Sequence, residues 1–549
     1  YDMHFLSFGM ICRLILVFSL LSKALLAQVD LFYCQPMNLE PNLAGSFGEL
    51  RNHHFHSGVD LRTNGEIGQP VRSVQEGYLK RLVVKPNGFG MALYIAHPSG
   101  YTSVYAHLDR FQKSFHDLLL KQSLKTKSNR IDLYLEKDEY PIDAGDTIGW
   151  SGNSGSSSGP HLHFEWRDSR TEEPLNPVDY GLQIGSDIVN PNIIAIHTKA
   201  GQKVNRIWTD TLIISDWQDI GVEILEQQIP KGPKLGIKSM SVWVEDINEP
   251  NQQEAPDFSW EMERFSFSNT RGSDGHMQHN IHSELGIRTY RIAPVSQPAK
   301  IWKNSYSFPE NGLYEITIMI ETISGQKTVS KGPVLRNSLN SLWEIISETH
   351  SPVDWTSPSG EIESENLKIS WNENSFMEPM KPKIISNTIS KKLRWVCSPD
   401  LPVTKSLKYY WTPPLNYPET LKHKTILVGK DPRGISKVVG RLTNDGKILF
   451  KMKLWGETYI SSDNNPPIIY FFGKKSFQNQ EAFCFKLYDE LLNIKNYRVK
   501  LNDSWQWAYF DSKNKDLLIP IDPKIKIFNF EIFAEDEALN NTTFKHSIK

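Results

Sequence analysis

The chain has almost no cysteine to work with. Of four in 549 residues, Cys12 falls in an N-terminal leader, and Cys34, Cys397 and Cys484 are odd in number and widely spaced. That excludes a disulfide framework. There is little net charge: 61 Lys and Arg against 63 Asp and Glu give −2, so no basic patch argues for nucleic acid. No phosphate-loop or G-x-G-x-x-G pattern occurs, and no H-E-x-x-H helix is present to carry a Glu base beside a metal. After the leader, no apolar run is long enough to span a bilayer. The leader itself reads as a signal peptide over residues 1–27: Arg13, an apolar core from Leu14 to Leu21, and Leu25-Leu26-Ala27 before Gln28. Cys34 lacks the small preceding residue of a lipidated cysteine.

Histidine is unevenly placed. Sixteen are present and half lie between His53 and His163. His56-Ser57-Gly58-Val59-Asp60 puts an imidazole and a carboxylate around a glycine turn. Gly159-Pro160-His161-Leu162-His163-Phe164-Glu165-Trp166 alternates strictly and predicts a strand, with His161, His163 and Glu165 on one face and Leu162, Phe164 and Trp166 on the other. Between them, Tyr101 to Leu108 puts Tyr105 and His107 on one face. Imidazole and carboxylate donors in this number suit zinc. His53, His54 and His97 read as loop residues, as do His276, His279 and His282 in a polar stretch. Tyr105 fits substrate orientation and packing equally, and Glu165 fits a place behind the ligands or at the rim. Gly155-Ser156-Ser157-Ser158-Gly159 matches a serine-hydrolase elbow, but Pro160 and a strand follow where that motif needs a helix. A small-residue loop for close substrate approach fits better.

These pieces, with Gly68-Gln69-Pro70-Val71, Val104-Tyr105-Ala106-His107-Leu108, Gly145-Asp146-Thr147-Ile148-Gly149 and Gly152-Asn153-Ser154-Gly155, resemble the M23 zinc metallopeptidases, the lysostaphin or LytM type, in the family's order. The resemblance covers about a quarter of the chain. It implies Zn2+ held by His56, Asp60 and His163, a catalytic pair in His107 and His161, and no other cofactor. The implied function is a zinc metalloendopeptidase cutting peptide cross-links of peptidoglycan, exported to the periplasm or outer envelope. The alternative is a non-catalytic regulator or scaffold that binds other envelope enzymes.

The expected fold is mainly β: an antiparallel M23-type catalytic sheet followed by Ig-like β-sandwich modules. The expected boundaries are a lead-in over 28–44, the catalytic domain over 45–185, a β-sandwich over 186–340, a β-rich domain over 341–463 and an Ig-like domain over 464–549. Within the catalytic domain, 111–142 reads as an insertion with partly helical spacing, which fits a wall or cap on the groove and a packed surface helix equally. Asn38, Glu40 and Asn42 are candidates to block the metal in a latent form. Peptide stems of peptidoglycan are the expected partners, together with envelope proteins at the C-terminal domains.

Overall fold

The computed structural model describes residues 34–549 apart from 52–53, 138, 199–200, 249–254, 268–272, 274–275, 278–285, 294–301, 305–310, 338–358, 374, 377–381, 390–391, 399–402, 404 and 432–433. The leader, His53, His279, His282 and most of the Pro/Ser-rich stretch after Ser351 lie outside the described residues.

Period-two hydrophobicity becomes antiparallel sheet almost throughout. The first large sheet runs Leu43–Gly45, Val59–Arg62, His161–Asp168, Tyr101–Ala106, Met91–Ala96, Gly77–Val84, Ile131–Tyr134. A smaller sheet of Pro70–Arg72, Thr147–Trp150 and Arg110–Phe111 packs with it. Val59, Leu162, Phe164 and Trp166 are completely buried, so the apolar face of the ligand-bearing strands supplies the core while the polar face is left for chemistry.

Three pairs of sheets follow. Asn311–Glu321 and Lys327–Asn337 form the long hairpin at the centre of the first pair, joined by the Ser324-Gly325 turn. Two five-stranded sheets enclose the core of Leu367, Trp395, Tyr409, Phe450 and Trp455. Two four-stranded sheets, built around Gln480–Tyr488 and Phe528–Asp536, enclose Phe485, Val499, Leu517 and Ile532. Among the described residues no helix is long and apolar enough to cross a membrane.

The insertion takes the packed-helix form of its two readings. It holds the helix Lys113–Thr126, which buries Phe115, Leu119 and Ser123. Its strand Ile131–Tyr134 pairs with Gly77–Val84 at the far edge of the sheet. Four strands separate it from Val59–Arg62. It lengthens the sheet and carries the last sandwich instead of capping the ligand strands: Ser123 Oγ accepts from Trp505 Nε1, Asn129 Oδ1 from the Ala508 amide, and Arg130 donates to the Ile494 carbonyl. Phe477, Cys484, Trp507, Tyr509 and Leu518 of that last sandwich share one continuous apolar core with the first sheet.

Candidate metal and catalytic centre

Antiparallel register joins the two halves of the motif. His163 pairs with Asp60 across one strand boundary and with Ala106 across the other. His107 therefore lies one residue beyond a position level with His163. Gly58 lets the segment between His56 and Asp60 lie close against the next strand, because a Cβ there would overlap the Phe164 carbonyl.

Asp60 Oδ1 sits 2.9 Å from His163 Nδ1, 3.1 Å from His56 Nε2 and 3.4 Å from His161 Nε2. His56 Nε2 and His163 Nδ1 are 3.0 Å apart. The rings of His107 and His161 meet edge to face at 4.9 Å between centroids, and His107 stands 5.8 Å from His163. All five expected residues lie together.

The outer nitrogens define which atoms face inward. His56 Nδ1 donates to the Ser46 carbonyl at 2.7 Å, His107 Nδ1 to the Ser154 carbonyl at 2.8 Å, and His161 Nδ1 to the Gly159 carbonyl at 2.8 Å. His163 is reversed: its Nε2 meets Glu165 Oε1 at 3.0 Å, which turns Nδ1 toward Asp60. In neutral imidazoles each outward N–H fixes the inward nitrogen as a lone pair. His56 Nε2, His163 Nδ1 and Asp60 Oδ1 thus aim lone pairs at one point and need a cation there. Donors about 2.0–2.1 Å from a tetrahedral zinc stand roughly 3.3 Å apart, close to these separations, so the donor set fits such an ion.

Electrostatics agrees with the geometry. Burial holds His56 down to about 4, and burial with the charges of His163 and His161 holds His107 down to about 3; both are neutral donors at pH 7. Burial opposes a charged His163, but the hydrogen bonds and charges of Asp60 and Glu165 outweigh it and push its pKa up to about 9; a proton or a metal must therefore lie between His163 Nδ1 and Asp60, and metal binding displaces the proton and frees the lone pair. Burial likewise opposes ionisation of Asp60, and the surrounding imidazoles overcome it, holding the carboxyl well below the usual range. His107 also has a left-handed backbone, φ +59°, a strained conformation for a non-glycine residue.

Two supporting residues, Arg51 and Ser46, are not marked by the sequence, while Glu165 and Tyr105 take one of the two places it allows each of them. Arg51 Nη2 holds Asp60 Oδ2 at 2.6 Å, leaving Oδ1 as the inward oxygen. Ser46, the acceptor for His56, is tied to Gly236 of the next sandwich through its Oγ. Glu165 is fully buried, bonded to His163, Ser57 and Arg167, and so lies behind the ligands and not at the rim. Tyr105 is packing: it is completely buried and its hydroxyl accepts from the Val74 amide at 2.9 Å.

Other expectations are corrected. His97 is buried, its Nδ1 donating to the Glu76 carbonyl at 2.8 Å and its Nε2 accepting from the Ser103 hydroxyl at 2.7 Å, with the ring stacked on Trp166. His276 is buried between Phe55 and Trp260. The latency candidates are placed otherwise: Asn38 Oδ1 accepts from Arg72, Asn42 makes backbone bonds with Glu40 and Arg62, and Arg51 is the group against Asp60. The Gly155 loop packs against the backbone of Gly88 and Gly90, so its small residues serve loop-to-loop contact.

Residues 54–124 match the model of Peptidase family M23. The chain carries an M23 peptidase domain. The match takes in His56, Asp60 and His107 and ends before the His161 strand. Similar curated proteins include the DD-carboxypeptidase/endopeptidase Mpg of Neisseria meningitidis serogroup B, 29% identical over 154 residues, 26% of this chain and 29% of that one. Lysostaphin of Staphylococcus simulans is 26% identical over 167 residues, 29% of this chain and 27% of lysostaphin. The alignments thus span under a third of either relative. Among solved structures, the lysostaphin catalytic domain from S. simulans aligns at 22% identity and a TM-score of 0.19, covering 25% of this chain and 87% of that domain. A zinc-containing peptidase from Vibrio cholerae aligns at 26% identity and a TM-score of 0.20, over 28% of this chain and 40% of that structure.

Proposed function

We propose that this M23 protein is an exported zinc metalloendopeptidase that hydrolyses peptide cross-links of bacterial peptidoglycan. The observation that carries the reading is the convergence of His56 Nε2, Asp60 Oδ1 and His163 Nδ1, each fixed from behind, with two more imidazoles beside them. His56, Asp60 and His163 hold the zinc. A zinc ion there supplies Lewis acidity, polarising bound oxygen atoms and lowering the pKa of water from about 15.7 toward 7.

His107 and His161 act as the proton-transferring pair. Each donates its Nδ1 hydrogen to a backbone carbonyl and keeps Nε2 for the reacting groups. A neutral imidazole accepts the proton of the attacking water; its protonated form hydrogen-bonds the developing oxyanion or hands the proton to the leaving amine. The substrate assignment rests on the names of the similar proteins, Mpg and lysostaphin. Export rests on the leader and on the extracytoplasmic position of such a substrate.

The deciding experiment measures zinc content and muropeptide release from sacculi by the purified mature chain and by His163→Ala. We expect one zinc per chain and cleavage that His163→Ala abolishes. A folded protein without zinc would overturn the reading and favour a scaffold role.

A further inference from the structure

Away from the M23 centre, three carboxylates from distant parts of the chain come together. Asp463 follows the strand Glu457–Ser462, Asp489 follows Gln480–Tyr488, and Asp536 ends Phe528–Asp536. Each offers one oxygen, and these oxygens all lie within 4.8 Å of one another. Asp463 is 1% exposed and Asp536 0%.

Most of their oxygens have hydrogen-bond work that positions them. Asp463 Oδ1 accepts from the Asn465 amide at 3.1 Å. Asp489 Oδ1 accepts from the Leu491 and Leu492 amides, both at 2.8 Å. Asp536 takes the Asn540 amide and side chain, both at 2.9 Å. Asp463 Oδ2 is different: it is buried and accepts no hydrogen bond. The nearby cation Lys424 spends its Nζ on Asn464 at 2.8 Å. Burial, with the neighbouring carboxylates, pushes Asp463 and Asp536 up. Buried carboxylates at such separations must be neutralised by protons or by a metal.

An all-oxygen donor set selects a hard cation, and calcium accepts irregular carboxylate and carbonyl cages that magnesium, with its strict octahedron, does not. We propose that Asp463, Asp489 and Asp536 form a calcium site. It lies on the junction of the last two sandwiches. Beside it, Ile426 and Val428 pack on Leu492 and Ala538, Lys437 donates to the Leu491 carbonyl at 2.6 Å, and Asn540 Nδ2 donates to the Asp463 carbonyl at 3.2 Å. Calcium there locks the angle between the two sandwiches. Because the last one seats on the loops around His107 and Ser154, that angle also bears on the M23 centre.

The test titrates CaCl2 into the metal-free full-length chain by calorimetry, with thermal unfolding alongside and MgCl2 as the comparison. We expect one calcium per chain and a raised Tm. Asp463→Asn and Asp489→Asn should each weaken binding at least tenfold, while His163→Ala binds calcium normally. Asp489 is only partly buried, so its variant remains informative if Asp463→Asn fails to fold. Absence of calcium binding, affinity unchanged in the Asp489→Asn variant, loss of binding in His163→Ala, or an equal response to magnesium would each overturn the proposal.

Discussion

Asp60 divides its two oxygens between different tasks: Arg51 takes Oδ2 and the imidazoles face Oδ1. Glu165 does the complementary service for His163, holding Nε2 so that Nδ1 points inward. Partners of this kind orient metal ligands, and their loss typically weakens metal binding about 10–100-fold. Glu165→Gln keeps the shape but removes the negative charge that faces His163 and Arg167. We therefore expect zinc affinity to fall by roughly 10–100-fold, measured by chelator competition, with the fold retained by circular dichroism. Unchanged affinity would mean Glu165 serves packing alone.

His97 belongs at the same scale but concerns stability. Burial holds its pKa down to about 4 against an ordinary 6.5. The unfolded chain therefore binds the proton more readily. This contribution is complete above pH 6.5 and is lost as the pH falls toward 4. Between pH 7 and pH 4.5 the wild type should lose about 2–3 kcal/mol more than His97→Gln, read as the difference in denaturant unfolding at the two pH values. Equal losses in the two proteins would refute the assignment.

At the scale of the element, the loop Gly152–Gly159 joins the sheet to the candidate base. Ser154 offers its carbonyl to His107, its hydroxyl donates to the Leu108 carbonyl, and that same hydroxyl accepts the Met91 amide. Gly155, at φ +71°, presses on Gly88 and Gly90. A side chain there meets backbone on the opposite loop as well as an unfavourable φ. Gly155→Ala should cost at least about 1 kcal/mol of stability and, by moving Ser154, lower the turnover of cross-linked muropeptide more than it raises KM. A loss confined to KM would indicate that the loop only contacts substrate. The strands around this loop were legible in the sequence because alternation is local: Leu162, Phe164 and Trp166 announce their buried face, and His161 and His163 their shared one. The loop's purpose was not legible. Glycine and serine satisfy close approach to a substrate and close approach to another loop equally, and only the fold brings Gly88 to Gly155. His97 and His276 were missed for a related reason: turn-forming and polar neighbours describe the local chain, not the aromatic rings of Trp166, Phe55 and Trp260 that arrive from elsewhere. Arg51 was equally silent, since nothing local in its spacing marks it as the partner of Asp60.

The whole molecule closes on itself. Modular sequence suggested a string of β units, yet the last one returns to the first. Lys513 Nζ reaches the Asn153 and Ser157 carbonyls, Ser512 bonds Pro86 and Asn87, Gln478 donates to the Asp109 carbonyl, and the Tyr509 hydroxyl accepts from the Gly155 amide. These contacts flank His107 on both sides in sequence and grip the loop that carries its carbonyl partner. Such docking is invisible to periodicity because Phe477, Trp507 and Tyr509 would read as ordinary sandwich residues; only their burial against the first sheet distinguishes them. The C-terminal sandwich therefore helps hold the loops around His107 and Ser154 in place, and its removal should be felt at a distance in sequence but not in space. Lys513→Ala leaves the sandwich core intact while cutting its ties to Asn153 and Ser157. We expect several-fold slower muropeptide release, faster proteolytic cleavage within 153–159, and zinc content and Tm close to wild type. If release and loop protection are both unchanged, the sandwich is seated by its apolar core alone and the polar contacts to the loop contribute nothing to the active site.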